Sequence, residues 1–172
     1  MSVSLYDSTV VNYLQILPAV EGFLAKGLAH LKEKNIDPDG IVETRLYDDM
    51  LPFRFQIGSV VAHSIGAING AKAGLFTPPK TPEGGYQAMQ KVVTEAREAM
   101  EKVTATDVNA LVGKDVIFQI GERKIPFVAE NFLLSFSQPN FYFHATTAYD
   151  ILRMKGVPLG KRDFLGRLRI KS

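Results

Sequence analysis

The fold is decided by the stretch Asn140-Phe-Tyr-Phe-His144-Ala-Thr-Thr-Ala-Tyr149-Asp-Ile-Leu-Arg153, which runs on to Gly156-Val-Pro-Leu-Gly160-Lys-Arg-Asp-Phe-Leu-Gly166. It places His144, one of only three histidines, on an aromatic-rich helix beside Thr146, Thr147 and Tyr149. Imidazole, hydroxyl and phenol groups at helical spacing can share one face of a helix. The stretch therefore predicts a long last helix that carries a candidate functional side chain.

Bulk composition limits the classes of protein that the chain can belong to. Its 172 residues fit a single domain, 1–172, and the 46% apolar share is ordinary for a soluble globular protein. The absence of cysteine excludes disulfides, thiolate metal ligands and cysteine nucleophiles. We expect no signal peptide and no membrane span, hence a cytoplasmic protein. The net charge of +2 gives no argument for nucleic acid.

Hydrophobic periodicity predicts a mainly helical chain. Four long helical patterns cover residues 8–34, 52–73, 81–103 and the segment from the end of a hairpin to Gly156. Pro18 should kink the first helix or remove a backbone hydrogen bond near Leu14. Pro139 should divide the last helix into two pieces. The predicted architecture is an all-α four-helix bundle.

Two smaller elements are expected beside the bundle. Asp37-Pro38 is typical of an N-cap followed by proline at the first helical position, and predicts a short helix to about Leu46. Residues 115–120 and 124–127 flank Gly121-Glu122-Arg123 and predict a β-hairpin before the last helix. Pro126 should confine its strand to an edge of the sheet.

The second helix is rich in small residues. Gly58, Gly66 and Gly70 each cost a helix about 0.5–1 kcal/mol relative to alanine, so another interaction must offset them. Either neighbouring helices approach very closely, or the small side chains leave room for a ligand. His63 lies in the middle of this helix, one turn after Ser59.

The C-terminal stretch, together with Leu5-Tyr-Asp-Ser8 and Asp49-Met-Leu-Pro52 with Gln56, resembles the domain-of-unknown-function family nineteen-ninety-three. That family is grouped with the DinB/YfiT-like helical bundles. The resemblance covers nearly the whole chain and implies a DinB-like four-helix bundle. It also implies a divalent metal site built from one histidine on the second helix and two, four residues apart, on the fourth.

Only part of that metal triad is present. His63 and His144 match two of the three positions, but the residue four after His144 is Ala148. A third ligand would have to be Asp48, Asp49, Glu130 or Tyr149. We therefore predict no metal ligands and no cofactor, and keep three alternatives for the histidines: a metal site, a hydrogen-bonded pair lining a cavity, or satisfied core residues.

Without a metal, histidine can act as a general acid or base near neutral pH. His63, His144 and Tyr149 are the catalytic candidates. The binding candidates are Tyr13, Asp49, Ser59, Phe141 and Thr147.

A basic segment, 161–171, is interleaved with apolar residues such as Leu165 and Leu168. It is either a solvated tail or a strap over a second subunit, and with the family resemblance it leads us to expect a homodimer. We expect a small-molecule pocket between helices 2 and 4, with a small apolar ligand or substrate. Isomerase- or cyclase-type acid–base chemistry, a metal-dependent hydrolase or transferase, and a non-catalytic dimeric protein remain open as alternatives.

Overall fold

The computed structural model describes residues 3–78 and 80–171. The first half of the chain forms α1 (Leu5–Ser8), α2 (Val10–Glu33), a 3₁₀ turn (Pro38–Ile41), α3 (Phe53–Val61), a first π-helical segment (Ala62–Gly66) and α4 (Ala67–Ala73). The second half forms α5 (Tyr86–Met100), α6 (Ala105–Asn109), α7 (Ala129–Asn131), a second π-helical segment (Phe132–Ser137), α8 (Gln138–Met154) and α9 (Lys161–Leu165).

The long helices form the predicted four-helix bundle. α2 packs along α5, and α3 packs along α8. Apolar side chains from Leu5 to Leu159 fill one continuous core between them. The Tyr86 hydroxyl donates to the Leu24 carbonyl at 2.9 Å, and a Cβ on Gly27 would lie 2.3 Å from that hydroxyl. Gly27 therefore allows α2 and α5 to approach closely.

A small sheet covers one end of the bundle and consists of β1 (Leu75–Phe76), β2 (Asp115–Ile120) and β3 (Arg123–Val128), in that order. β2 and β3 are the predicted hairpin, and Pro126 lies in edge strand β3, opposite Ile117. The parallel strand β1 was not predicted, because two residues are too few to show an alternating pattern.

Five rings, which we call the phenylalanine cluster, join the sheet to the second π segment. Neighbouring ring centroids in the cluster lie between 4.8 and 6.5 Å apart. Its members are Phe76, Phe118, Phe127, Phe132 and Phe136.

Two predicted helix boundaries are wrong. The third long helix begins at Tyr86 and not at Thr81, because Gly84 adopts a left-handed φ of 94° and ends the preceding turn. The Asp39 carboxylate then accepts the Tyr86 amide at 2.8 Å and caps the helix from another loop. Asp37 caps the turn after it as predicted, but that turn is a 3₁₀ helix that ends at Ile41.

The two helical prolines leave their helices continuous. α2 runs through Pro18 and, because proline has no backbone N–H, lacks the hydrogen bond to the Leu14 carbonyl, one of the two predicted effects. The last helix has no gap at Pro139. Instead its hydrogen-bonding pattern changes from π to α at Gln138, one residue earlier. Proline is tolerated there because it occupies the first turn of α8, where its missing N–H is not needed.

Among the described residues, no helix combines the length and the apolar character that crossing a membrane requires.

Candidate functional site

The centre of the candidate site is the contact between Gln56 on α3 and His144 on α8. The Gln56 side-chain nitrogen donates to the Leu51 carbonyl at 2.7 Å, so its oxygen faces His144. That oxygen lies 2.7 Å from His144 Nδ1. Since an amide oxygen only accepts, the network assigns the proton of His144 to Nδ1 and leaves a lone pair on Nε2.

His63 lies beside this pair in the first π segment. Its side chain is buried, at 5% exposure, and its Nδ1 lies 3.1 Å from the hydroxyl of Ser137, the last residue of the second π segment. The imidazole centroids of His63 and His144 are 6.0 Å apart, with an angle of 11° between ring planes. The structure thus brings the two predicted histidines together, and we call them the imidazole pair. π-helical turns occur frequently at functional sites, and here each holds one partner of the hydrogen bond between His63 and Ser137.

Aromatic rings surround both histidines. His63 contacts Phe76 and Phe136 of the phenylalanine cluster, at centroid distances of 5.4 and 5.6 Å. His144 makes edge contacts with Phe55 at 5.8 Å and with Phe143 at 5.2 Å. The imidazole pair is therefore a polar group set in an apolar wall.

That setting keeps both imidazoles neutral at pH 7. Burial, together with the smaller effect of the positive charge that His144 would carry, lowers the pKa of His63 from 6.5 to about 4. Burial also lowers the pKa of His144 to about 4. The pair therefore offers neutral nitrogen donors and acceptors at physiological pH, and a positive charge on it is disfavoured.

Ser59 is the predicted binding residue that lies on the same helix as Gln56, before the first π segment. It lies on α3 between Gln56 and His63, three and four residues away, and so shares their face of the helix. Its hydroxyl is buried and has no hydrogen-bond partner in the part of the chain that the structure describes. Thr147 differs, because its hydroxyl donates to the Phe143 carbonyl at 2.8 Å and is already satisfied.

Tyr13 and Phe141 lie deep in the core. Their rings meet edge to face at 4.9 Å, and both side chains are fully buried. Burial raises the pKa of the Tyr13 phenol well above its usual range, and its hydroxyl finds no partner among the described residues. Their assignment as binding residues stays a prediction.

Two further predicted residues lie away from the imidazole pair. Tyr149 packs against Phe23 and Phe164, at 6.1 and 6.0 Å, on the side of α8 that faces α2 and α9. Tyr149 follows His144 by five positions, and this spacing places the two side chains roughly 140° apart around the helix axis. Asp49 is exposed in the turn before α3. The structure does not bring either side chain to the pair.

The carboxylates of Asp48 and Asp49, in the turn before α3, do not cap its free amides. The Phe53 and Arg54 amides donate instead to the carbonyls of Thr44 and Val42, at 2.8 and 3.0 Å. Backbone acceptors from the preceding turn therefore satisfy the helix start, and no side chain caps α3.

The small residues of the second long helix mainly permit close approach. A Cβ on Gly58 would lie 2.5 Å from the Pro82 ring, and one on Gly70 would lie 3.0 Å from the Phe76 ring. Gly66 instead borders an open groove of about 440 Å³. None of the four grooves found on the described residues is lined by His63 or His144, so a pocket at the imidazole pair stays a prediction.

The residues present do not fit a three-ligand metal centre. Ala148 presents only a methyl group one turn after His144, and Glu130 accepts the Gly113 amide at 2.9 Å. Across residues 3–78 and 80–171, no three histidine, aspartate or glutamate side chains are grouped so that they could hold an ion. Two imidazoles alone leave half of a tetrahedral shell unfilled.

Sequence reasoning missed two residues of the site. Gln56 lies seven residues before His63 and therefore on the same helical face, a spacing that could have revealed it. Ser137 comes from a π segment whose register no simple periodicity predicts. Periodicity does not predict the phenylalanine cluster either, because its members come from separate elements: both strands of the hairpin, β1 and the last helix.

Known proteins resemble the chain over almost its whole length. The model of the family described as "Domain of unknown function (DUF1993)" matches residues 5–165. The crystal structure of a DinB family member protein from Shewanella denitrificans superposes with a TM-score of 0.81 and 25% sequence identity, covering 98% of this chain and 95% of that one. No curated protein matches. The chain therefore belongs to the DUF1993 family and shares its fold with a DinB family member.

Proposed function

We propose that the protein binds a small, largely apolar molecule against the imidazole pair, with His144 Nε2 as the hydrogen-bond acceptor. The supporting observation is the chain from Leu51 to Gln56 to His144, which fixes the tautomer of His144. A base whose far nitrogen is held by an oriented acceptor is the arrangement found in acid–base catalysis. The surrounding phenylalanines supply the apolar contact surface.

Proton transfer at this site would be of the isomerase or cyclase type. With a pKa of about 4, His144 is a weak base at pH 7. A ligand that develops negative charge beside the ring would raise that pKa and make the proton easier to accept. Binding is thus the first property of the site, and catalysis depends on the ligand.

The proposal is tested with p-cresol as a probe, since it is apolar and carries one donor. Nitrogen-detected NMR of the histidine side chains should show a shift of His144 Nε2 on titration. His144→Phe and His63→Phe should each weaken binding about tenfold or more, while toluene, which has no donor, should bind all three proteins alike. Unchanged p-cresol affinity in both variants would overturn the proposal.

The second candidate is a non-catalytic, dimeric binding or structural protein. It is favoured by Ala148, which occupies the position at which the family resemblance implies a third metal ligand. We do not propose the metal-dependent hydrolase or transferase, because a third ligand does not approach the pair within the described residues.

We also propose the broader assignments made from the sequence. The continuous core from Leu5 to Leu159 supports a single domain over residues 1–172. Leu168 and Ile170 are 53% and 81% exposed, which supports a homodimer that uses the basic apolar tail. A cytoplasmic location and the absence of nucleic-acid partners stay predictions.

A further inference from the structure

The outer face of α8 borders a groove that is separate from the imidazole pair. The groove has a volume of about 510 Å³, within the range of small-molecule sites, and lies between α8 and the loop before α3. Its walls are Leu46, Met50, Pro139, Tyr142 and Phe143, with Thr146, Thr147 and Asp150 along its floor. It is an apolar groove with one charged side chain.

That charged side chain is a carboxylate without a counter-ion. Asp150 is half-buried, and within the described chain it forms neither a salt bridge nor a side-chain hydrogen bond. Arg153, three residues on, is at the right helical spacing to pair with it but donates to the Val157 carbonyl at 3.3 Å. Arg45, beside the loop wall, donates to the Met50 carbonyl at 2.7 Å. Each guanidinium thus donates to a backbone carbonyl, and neither forms a salt bridge with Asp150.

The aromatic walls favour the same kind of partner as the carboxylate. Phe143 is 56% exposed, although a ring of that size is usually packed against other groups. Together with Tyr142 it places two aromatic rings next to Asp150 in one groove. Rings and a carboxylate jointly attract an organic cation, through cation–π contact and direct charge pairing.

We propose that this groove binds an organic ammonium ion, with its cationic nitrogen at Asp150 and its apolar part against Tyr142, Phe143 and Met50. The ligand would supply the positive charge that Asp150 lacks and cover the exposed ring of Phe143. Neither histidine of the imidazole pair lines this groove, although the Phe143 ring borders the groove and also contacts His144 at 5.2 Å. The absence of Asp150 pairing and the apolar walls both argue against an anionic or strongly hydrophilic ligand.

Burial raises the pKa of Asp150 above its ordinary value, and this gives the proposal a direct readout. A cation placed beside the carboxylate favours its charged form, so binding should lower the pKa of Asp150. Carbon-detected NMR of the side-chain carboxyl follows that change in the full-length chain. A merely apolar ligand would raise the pKa further or leave it unchanged.

The test uses phenethylammonium as the probe and 2-phenylethanol as its neutral match. Phenethylammonium should shift the amide signals of Phe143, Thr146 and Asp150 in a saturable titration. Asp150→Asn should weaken its binding about tenfold or more, since it removes the charge and keeps the shape. Asp115→Asn, which removes an exposed carboxylate from β2, should not alter the affinity.

Three results would overturn the proposal. The first is equal binding of phenethylammonium to the wild type and to Asp150→Asn. The second is binding of 2-phenylethanol as tight as that of the ammonium ion. The third is a concentration-dependent dimer in sedimentation that Phe143→Ser dissociates and phenethylammonium leaves intact, because the groove would then be covered by a second copy of the chain.

Discussion

At the scale of single residues, the Gln56 side-chain oxygen lies at Nδ1 of His144 and is therefore the place to introduce a charge beside that imidazole. Gln56→Glu would place a carboxylate at the acceptor position 2.7 Å from Nδ1. An adjacent negative charge favours the imidazolium, so the pKa of His144 should rise from about 4 by roughly 1–3 units. NMR titration of the imidazole carbons measures this shift.

Gln56→Met is the matched control for that change, because it keeps the volume and removes the acceptor. It leaves the Nδ1 proton without a partner and should keep the pKa of His144 at or below its wild-type value. A rise of similar size in both variants would show that altered packing, and not the charge, sets the pKa.

The two buried serines of the site should respond differently to substitution by alanine. Ser137→Ala removes the partner of buried His63 and should lower the free energy of unfolding by about 1–3 kcal/mol. Ser59→Ala removes a buried hydroxyl that has no described partner, so its stability should be unchanged or increased. Urea titration measures both.

Ser135→Ala is the control for these serine variants, since it lies in the same π segment as Ser137 and is exposed. It should change the free energy of unfolding by less than about 0.5 kcal/mol. If Ser59→Ala proves as destabilising as Ser137→Ala, the Ser59 hydroxyl has a partner that the protein structure alone does not supply.

At the scale of elements, long periodic patterns were predictable and register changes were not. The inward positions of α5, from Tyr86 to Met100, are all buried as the sequence predicts. The π segments were not predicted. A π turn contains one residue more than an α turn, and this change in hydrogen bonding leaves no mark in the apolar composition of the sequence. As a result both histidines could be identified from the sequence, while Gln56 and Ser137, which orient them, were not identified as residues of the site.

The glycines of the second long helix make a prediction at this scale. A Cβ on residue 66 would lie 3.6 Å from its nearest neighbour, so Gly66→Ala fits without a clash. Because alanine lowers the backbone entropy of the unfolded chain, this change should stabilise the protein by about 0.5–1 kcal/mol. Gly58→Ala would contact the rigid Pro82 ring at 2.5 Å and should destabilise it by about 1–3 kcal/mol. Thermal unfolding of the two variants side by side measures the difference. Equal melting temperatures would mean that the loop carrying Pro82 moves aside freely.

At the scale of the whole molecule, the C-terminal tail folds back on its own chain. Gln15 donates to the Leu165 carbonyl at 3.0 Å, and Arg169 donates to Asn12 at 2.7 Å. Lys26 also pairs with Asp163. These contacts hold α9 against α2 and leave Leu168 53% exposed beside α2.

Sedimentation then tests the proposed dimer. Leu168→Asp changes an exposed side chain and should shift a dimer towards monomer without unfolding the chain. Thr106→Asp, on exposed α6, is the control and should sediment like the wild type. If Leu168→Asp also sediments like the wild type, the tail is not the interface.

The imidazole pair should make the stability of the whole protein sensitive to acid. The unfolded chain protonates its histidines near pH 6.5, whereas folded His63 and His144 do so near pH 4. Between these values the unfolded state binds more protons, so stability is complete above pH 6.5 and is lost as pH falls towards 4. For buried His63 alone the loss reaches about 3 kcal/mol. The carboxylates with lowered pKa values, such as Asp7 and Asp163, act mainly below this window.

Urea unfolding at pH 7, 6, 5 and 4.5 measures the effect. His63→Phe should flatten the dependence, because it removes one of the two shifted groups and keeps an aromatic ring in the same wall. Ser135→Ala should retain the wild-type slope, since it changes no ionisable group. A wild-type free energy of unfolding that stays constant from pH 7 to 4.5 would mean that the histidines reach water in the folded state, and the imidazole pair would then not be the closed, neutral site from which its proposed function is argued.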